Sequence, residues 1–296
     1  MRLFLLFAAG ITLFACHPGN REAKRLGQAC DSGDVKACNA LGFKLQKGEY
    51  VLRDVARAAI VFKRACEGDI GDSCAALGGM YLRGSGVTRD SSRAPELFQR
   101  ACDHAGMEGC TGLGVLYRKG ARVPQDAVRA AALFEQACKG GHQLGCALLG
   151  ELSAAGQGVA QDFSRAASLF RQACDAKQTI GCLGLGRLHA AGTGVARNDS
   201  LAASLFKQAC DDHAAGGCFQ LAVASELGQG LPQDFGLAAR LYRQACDDSH
   251  AEACYNLAGL YQKGAGVSRR PERAMEFTRR ACELGFADAC PRIKGT

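Results

Sequence analysis

Sixteen of the 17 cysteines recur with a strict 36-residue period. The second member of each pair follows the first by eight residues, and no insertion breaks the period. A constant period indicates one supersecondary unit that is copied and stacked. Paired cysteines indicate one crosslink per unit in a chain that leaves the reducing cytosol. The pairs are Cys30 and Cys38, Cys66 and Cys74, Cys102 and Cys110, Cys138 and Cys146, Cys174 and Cys182, Cys210 and Cys218, Cys246 and Cys254, and Cys282 and Cys290.

The composition indicates thin, closely packed helices. The chain has 38 glycines, no tryptophan and 7% aromatic residues, so each helix buries little surface, and crosslinks are expected to replace part of the missing core. The net charge of +7 is scattered along the chain. Because no basic stripe interleaved with aromatic residues occurs, the sequence argues against a nucleic-acid partner.

Each period predicts a helix-loop-helix unit, repeated seven times. Two apolar stripes with helical spacing flank a loop that begins with glycine, a residue suited to ending a helix. An acidic or amide residue precedes each second helix except the last, where Arg270 is followed by Pro271. The predicted N-caps are Asp54, Asp90, Asp126, Asp162, Asn198 and Asp234.

Two further columns, that is, positions that recur every 36 residues, concern packing. An aromatic residue recurs in the second helix, and a glycine recurs in the first helix of the first five units. Glycine inside a helix costs about 1 kcal/mol relative to alanine, so its recurrence predicts backbones that approach too closely for a side chain. One loop, Gly120-Ala121-Arg122-Val123, lacks the usual second glycine, which predicts a stiffer turn. The columns are Phe62, Phe98, Phe134, Phe170, Phe206 and Tyr242, and Gly42, Gly78, Gly114, Gly150 and Gly186.

The step Leu113-Gly114-Val115-Leu116-Tyr117, the Gly-x-Gly-Val loop and the Ala-x-x-Leu-Phe-x-x-Ala helix together resemble the Sel-1-like repeat family, a relative of the tetratricopeptide repeat. The resemblance covers residues 24–290. The added cysteine pair resembles the secreted Helicobacter cysteine-rich proteins. The resemblance implies an all-α fold, an α/α superhelix: a right-handed solenoid of helix-turn-helix repeats crosslinked by disulfides.

The N-terminus predicts export. The apolar run from Leu3 to Ala15 is too short for a stable membrane anchor and is typical of a signal peptide. Leu13-Phe14-Ala15-Cys16 resembles a bacterial lipobox, which implies a lipid on Cys16, and His17 after it favours the outer membrane. The alternative is ordinary cleavage near Ala15 and a secreted protein. The predicted segments are a signal peptide (1–15), a lipid-attachment cysteine and tether (16–22), a half repeat (23–33), seven repeats (34–285) and a partial unit (286–296).

The cysteine spacing requires a chain reversal within each pair. Residues eight apart in one helix lie about 12 Å apart, whereas a disulfide needs alpha carbons within about 7 Å. The first cysteine ends a second helix and the next begins a first helix, so we expect eight bonds that each join successive repeats. Zinc binding and thioredoxin-like chemistry both favour Cys-x-x-Cys, which does not occur in the sequence.

The Helicobacter subgroup also implies a β-lactamase or penicillin-binding activity. The sequence has one Ser-x-x-Lys, at Ser204 and Lys207, but lacks Ser-Asp-Asn and Lys-Thr-Gly. A solvated helix face explains Ser204 and Lys207 more simply, so the sequence favours a protein that is not an enzyme. The six histidines form no metal-binding pattern, His189 is expected to be packed, and no cofactor is predicted.

The remaining hypothesis is a binding groove. In tetratricopeptide-like stacks the first helices line a concave surface, and the alternative is that several of these residues pack against neighbouring helices. An apolar strip with isolated charges suits an extended peptide or protein segment. The sequence thus favours an exported, lipid-anchored scaffold that binds protein or peptide at the bacterial envelope. The predicted groove contains Leu82, Val115, Leu144, Ile180, Leu183, Arg187, Phe219 and Tyr255, with Thr111, Arg118, Ala147, Glu151, Val223, Glu226 and Gln262 beside them.

Overall fold

A computed structural model describes residues 18–291, which form fifteen α-helices and one 3-10 turn and no strand. The chain forms two compact units that divide between Gly145 and Cys146, within α8. The helices are α1 Pro18–Asp31, α2 Val35–Lys47, α3 Val55–Glu67, α4 Gly71–Arg83, α5 Ala94–Asp103, α6 Met107–Lys119, α7 Ala127–Lys139, α8 Gln143–Ala155, α9 Phe163–Asp175, α10 Thr179–Ala191, α11 Asp199–Asp211, α12 Ala215–Leu227, α13 Phe235–Asp247, α14 Ala251–Lys263 and α15 Pro271–Glu283, followed by the turn Ala287–Ala289.

The even-numbered helices are the first helices of the repeats and the odd-numbered helices from α3 onwards are the second. Within each unit every helix packs against its neighbours in the chain. This all-helical stack of paired helices confirms the predicted fold class.

Side-chain caps fix where most second helices begin. Asp54, Asp126, Asp162, Asn198 and Asp234 each accept the backbone N–H three residues later, at 2.8 to 2.9 Å. Each bond satisfies a backbone donor that the first turn of a helix leaves without a partner.

The second repeat departs from this pattern because of Pro95. The predicted cap Asp90 instead binds Ser92 in a turn, and α5 begins at Ala94 with no side-chain cap. If the helix began at Ser91, Pro95 would lie in its interior, where its ring would clash with the preceding turn. The later start places Pro95 in the first turn, where proline is tolerated.

The recurring glycines of the first helices make room for aromatic rings. A Cβ atom on Gly42 would lie 2.5 Å from the ring of Phe62, and one on Gly150 would lie 2.8 Å from the ring of Phe170. The expected close approach of backbones occurs at a different glycine. At Gly181, just before Cys182, a Cβ atom would lie 2.8 Å from the backbone carbonyl oxygen of Phe170.

The cysteine pairs lie where the chain reverses between repeats. In each pair a residue in the left-handed conformation lies three positions after the first cysteine, as at Asp69, Lys177 and His213. The alpha carbons of seven bonded pairs are consequently only 4.4 to 4.9 Å apart. The eighth predicted bond, Cys138 to Cys146, stays a prediction. The described bonds are Cys30–Cys38, Cys66–Cys74, Cys102–Cys110, Cys174–Cys182, Cys210–Cys218, Cys246–Cys254 and Cys282–Cys290.

The ends of the described chain differ in how they match the sequence. Helix α1 begins at Pro18, so residues 18–22 are helical, whereas we expected a tether there. After α15 the chain makes a 3-10 turn, Ala287–Ala289, before Cys290. The predicted signal peptide and Cys16 lie outside the described residues.

Candidate peptide-binding surface

The predicted groove residues all lie on the first helices of the repeats. Leu82, Val115 and Leu144 belong to the first unit, and all three are partly buried. Leu82 packs against the cluster that contains Phe98 and Leu113, so its side chain contributes to the core. The alternative that some groove positions serve packing therefore holds for Leu82.

The second unit brings three predicted residues together in a cleft of about 500 Å³ between α8 and α10. Ile180, Leu183 and Arg187 line this apolar cleft, and Ile180 is 37% exposed. The ring of Phe170 lies beneath Gly184, where a Cβ atom would come within 2.6 Å of it. The remaining lining residues are Glu151, Ala154, Ala155 and Leu188.

A second cleft, of about 440 Å³, lies between α12 and α14 of the same unit. Its polar centre is Glu226, whose carboxylate accepts a 2.7 Å hydrogen bond from the hydroxyl of Tyr242. The side chain of Asn256 donates to the same hydroxyl at 3.4 Å. The pKa of Tyr242 is raised mainly by burial and secondly by the carboxylate of Glu226. The hydroxyl of Tyr242 therefore stays protonated and remains a hydrogen-bond donor. We call this the Glu226 cleft; Val223, Leu227, Tyr255, Gly259, Leu260 and Lys263 complete its lining.

Phe219 does not line the surface as predicted. It is only 6% exposed, and its ring stacks on the imidazole of His250 with a centroid distance of 4.4 Å. The ring of Phe219 also contacts the ring of Tyr242, with a centroid distance of 5.9 Å. Tyr255 lines the Glu226 cleft and also contacts the ring of Phe286 at 5.0 Å.

Three polar lining residues of the Glu226 cleft were not among the predicted groove residues: Tyr242, Asn256 and Lys263. A signal for Tyr242 was available, since it is the one tyrosine in a column that holds phenylalanine in the five preceding repeats. Those phenylalanines have no hydroxyl at this position. Nothing in the sequence marked Asn256, because its column varies from repeat to repeat.

The repeat family follows from a comparison with family models. The model described as Sel1 repeat matches seven consecutive segments that include most of the chain: 35–69, 71–105, 108–142, 143–177, 179–212, 215–250 and 251–286. The chain belongs to the Sel1 repeat family. Each matched segment contains one first helix and one second helix.

Two solved structures of Sel1-like proteins, from Escherichia coli and Oxalobacter formigenes, share this fold. A protective antigen of uropathogenic Escherichia coli with an SLR fold is 26% identical, with a TM-score of 0.71; the match covers 92% of this chain and 58% of that one. A Sel1 repeat protein from Oxalobacter formigenes is 22% identical, with a TM-score of 0.68 and coverage of 92% and 79%. The Helicobacter pylori cysteine rich protein B is 28% identical, with a TM-score of 0.37 and coverage of 44% and 93%.

This Sel1 chain therefore spans little more than half the length of the Escherichia coli antigen. None of the curated proteins gives a significant match to it. The disulfides between its Sel1 repeats indicate an oxidising, exported location. Among residues 18–291, no helix has the length and apolar character needed to cross a membrane.

The hydrolase hypothesis finds no support in the described Sel1 repeats. Ser204 and Lys207 are exposed on α11, and the ammonium group of Lys207 pairs with Asp211 at 2.6 Å. A nucleophilic serine needs an adjacent base and donors for the developing oxyanion. Ser204 lines neither cleft, and the backbone amides beside it lie within a regular helix.

The histidines of the Sel1 repeats have structural contacts. His142 contacts the hydroxyl of Thr111 at 2.8 Å, and the Nδ1 atom of His250 accepts the backbone N–H of Ala253 at 3.3 Å, capping α14. His189 is packed, as expected, with its Nδ1 atom 3.1 Å from the carbonyl oxygen of Ala196. Within residues 18–291, no cluster of histidine, cysteine and carboxylate side chains could hold a metal ion.

Proposed function

We propose that this Sel1 repeat protein is an exported, lipid-anchored scaffold that binds a protein or an extended peptide at the bacterial envelope. The observation that carries the proposal is the apolar cleft, where Ile180 and Leu183 present apolar surface beside the guanidinium of Arg187. Concave apolar surfaces with a few polar groups are the usual form of a binding site. The disulfides hold adjacent helices in one arrangement, which lowers the ordering cost of binding.

The proposed anchor is a lipid on Cys16. Three features support it: the apolar run before Cys16, the lipobox-like step Leu13-Phe14-Ala15-Cys16, and the position of Cys16 outside the 36-residue period. His17 after the cysteine favours the outer membrane, which would place the repeats on its periplasmic face. A protein cleaved near Ala15 without lipid would instead be secreted.

Fractionation tests the anchor. We expect the unmodified protein to sediment with membranes, and Cys16→Ala to move it to the soluble or extracellular fraction. A single acyl chain binds membranes only marginally, so retention should require the full lipoprotein modification. Recovery of the unmodified protein in the soluble fraction would show that the anchor is absent.

Crosslinking in intact cells tests the binding function. A photoreactive residue at Ile180, at the mouth of the apolar cleft, is expected to capture an envelope protein that mass spectrometry then identifies. The same residue at Leu201 is a matched control, since Leu201 is equally exposed, at 38%, on a second helix away from the clefts. Identical products from the two positions would contradict the assignment of this face as the binding surface.

A further inference from the structure

The two clefts of the second unit differ in chemistry. The apolar cleft has the ring of Phe170 as its floor and Leu183, Leu188 and Ala154 around it, so it suits an apolar side chain. Its two charged lining residues, Arg187 and Glu151, have opposite charges, so the apolar floor and walls set its preference.

The Glu226 cleft suits a cation. The carboxylate of Glu226 is partly buried and accepts one hydrogen bond, from a neutral donor, Tyr242. Among residues 18–291 it forms no ion pair; Lys263 lies on the rim of the cleft without pairing with it. A partly desolvated carboxylate without a counter-charge is costly, so an incoming cation restores the lost interaction. The aromatic ring of Tyr255 in the same cleft favours a cation as well.

The spacing of the clefts sets the distance between the two ligand side chains that would enter them, which we call the two peptide anchors. One cleft lies between α8 and α10, and the other between α12 and α14, so they are separated by two steps along the row of first helices. Directly packed helices lie 8–10 Å apart, so two steps span at least about 16–20 Å. An extended chain covers about 3.3 Å per residue, so it needs at least about five residues to reach from one cleft to the other.

We infer that the second unit binds an extended segment that carries an apolar side chain and, at least about five residues from it, a lysine or arginine. The apolar side chain enters the cleft at Ile180, and the cation pairs with Glu226. The inference rests on the proposed binding function and adds to it the chemistry and the spacing of the ligand.

Selection from a random 12-residue phage-displayed peptide library tests the inference, with the full oxidised chain as bait. The selected peptides, once aligned, are expected to share a pair of positions, one apolar and one basic, at least about five residues apart. Lysine or arginine at the basic position should be at least about fivefold above its frequency in the unselected library, since each anchor contributes about a factor of ten in affinity. Enriched peptides without that pair, or with an acidic residue in place of the basic one, would overturn the inference and leave the proposed function standing. No enrichment over uncoated surface would overturn both.

Two variants assign the anchors by fluorescence anisotropy with a selected peptide. Glu226→Gln keeps an acceptor for Tyr242 and removes the charge, and we expect about tenfold weaker binding of the basic peptide. A peptide with glutamine in place of its basic residue should bind both proteins equally. If Glu226→Gln weakens both peptides alike, the cation pairing is wrong.

Ile180→Asp tests the other anchor and is expected to weaken binding by about tenfold or more. Leu201→Asp is the control, because both residues lie in the first turn of a helix and are similarly exposed. Equal effects of the two substitutions on peptide affinity would exclude the apolar cleft as an anchor site.

Discussion

Gly186 lies against the ring of Phe206, so closely that a Cβ atom at Gly186 would be 2.6 Å from the nearest ring carbon. Phe206 is itself only 3% exposed, so its ring has little room to retreat. The same relationship joins Gly42 with Phe62 and Gly114 with Phe134. The first five repeats therefore exchange the helix propensity of alanine for a buried aromatic ring.

Gly186→Ala should destabilise the protein, because overpacking costs about 1–3 kcal/mol and exceeds the propensity gain of about 1 kcal/mol. Gly259 is the matched control in α14, since a Cβ atom there would meet nothing within 4 Å. Gly259→Ala should stabilise the protein by up to about 1 kcal/mol. Urea unfolding measures both changes, and a stabilised Gly186→Ala would contradict the packing argument.

Glycine at the second loop position is required for space as well as for conformation. Gly230 has φ of +74°, and a Cβ atom there would lie 2.1 Å from the carbonyl oxygen of Asp199. Gly285 also has positive φ, at +94°, with nothing within 4 Å. Gly285→Ala should cost about 1–2 kcal/mol of unfolding free energy from strain alone, and Gly230→Ala clearly more. Equal losses for the two variants would mean that the clash is relieved without cost.

Loss of one disulfide should weaken the junction that it closes. Replacement of Cys174 and Cys182 by serine is expected to lower the unfolding free energy by roughly 2–3 kcal/mol, since the bond restricts the unfolded chain. The urea midpoint of the oxidised double variant measures the loss. Peptide mapping without reductant checks the pairing, including Cys138 with Cys146; any bond between different pairs would show that the assigned connectivity is wrong.

The stability of the second unit should depend on the protonation of His250. Burial lowers the pKa of His250 below its ordinary value of 6.5. The negative charge of Glu252 opposes this shift, and the positive charge of Arg187 adds to it. A histidine whose pKa is lowered by folding adds stability above its ordinary pKa, and this is lost as the pH falls below that value. The urea midpoint should therefore drop between about pH 7.5 and about pH 5.5.

His250→Asn isolates this contribution, because asparagine also caps a helix and does not titrate. The variant should lose less stability than the unmodified chain over the same pH interval. The same pH dependence in both proteins would exclude His250 as the titrating group.

How far the sequence predicted the structure depends on the range of the interactions involved. The helix pairs, the caps at Asp54 or Asp234 and the chain reversals between cysteines are set within one period, and the sequence predicted them. Asp90 failed as a cap because Pro95, five residues away, displaced the start of α5. Phe219 was misassigned because its burial depends on His250, which lies in the next repeat.

Two departures from the repeat pattern compensate for each other at Arg122. One is the missing second glycine of its loop, and the other is the late start of α5. In other loops the second glycine contacts the first residue of the preceding second helix, as Gly86 does with Val55 and Gly194 with Phe163. The counterpart of that residue for Arg122 is Ser91, which lies outside α5 because the helix starts late. Arg122 adopts the same left-handed conformation as the glycines and donates a 2.9 Å hydrogen bond to Ser91. The turn that was expected to differ thus keeps its shape.

The eight-residue spacing of the bonded cysteines also bears on how the oxidised chain is made. Cys38 bonds with Cys30, which lies eight residues before it. The first cysteine after Cys38 is Cys66, 28 residues away. Loop closure favours the nearer partner by about 1 kcal/mol, at about 0.6 kcal/mol per doubling of length. Correct pairs are thus the kinetically nearest ones, so a chain that emerges from a translocation pore can oxidise one repeat at a time, before later cysteines are available to compete.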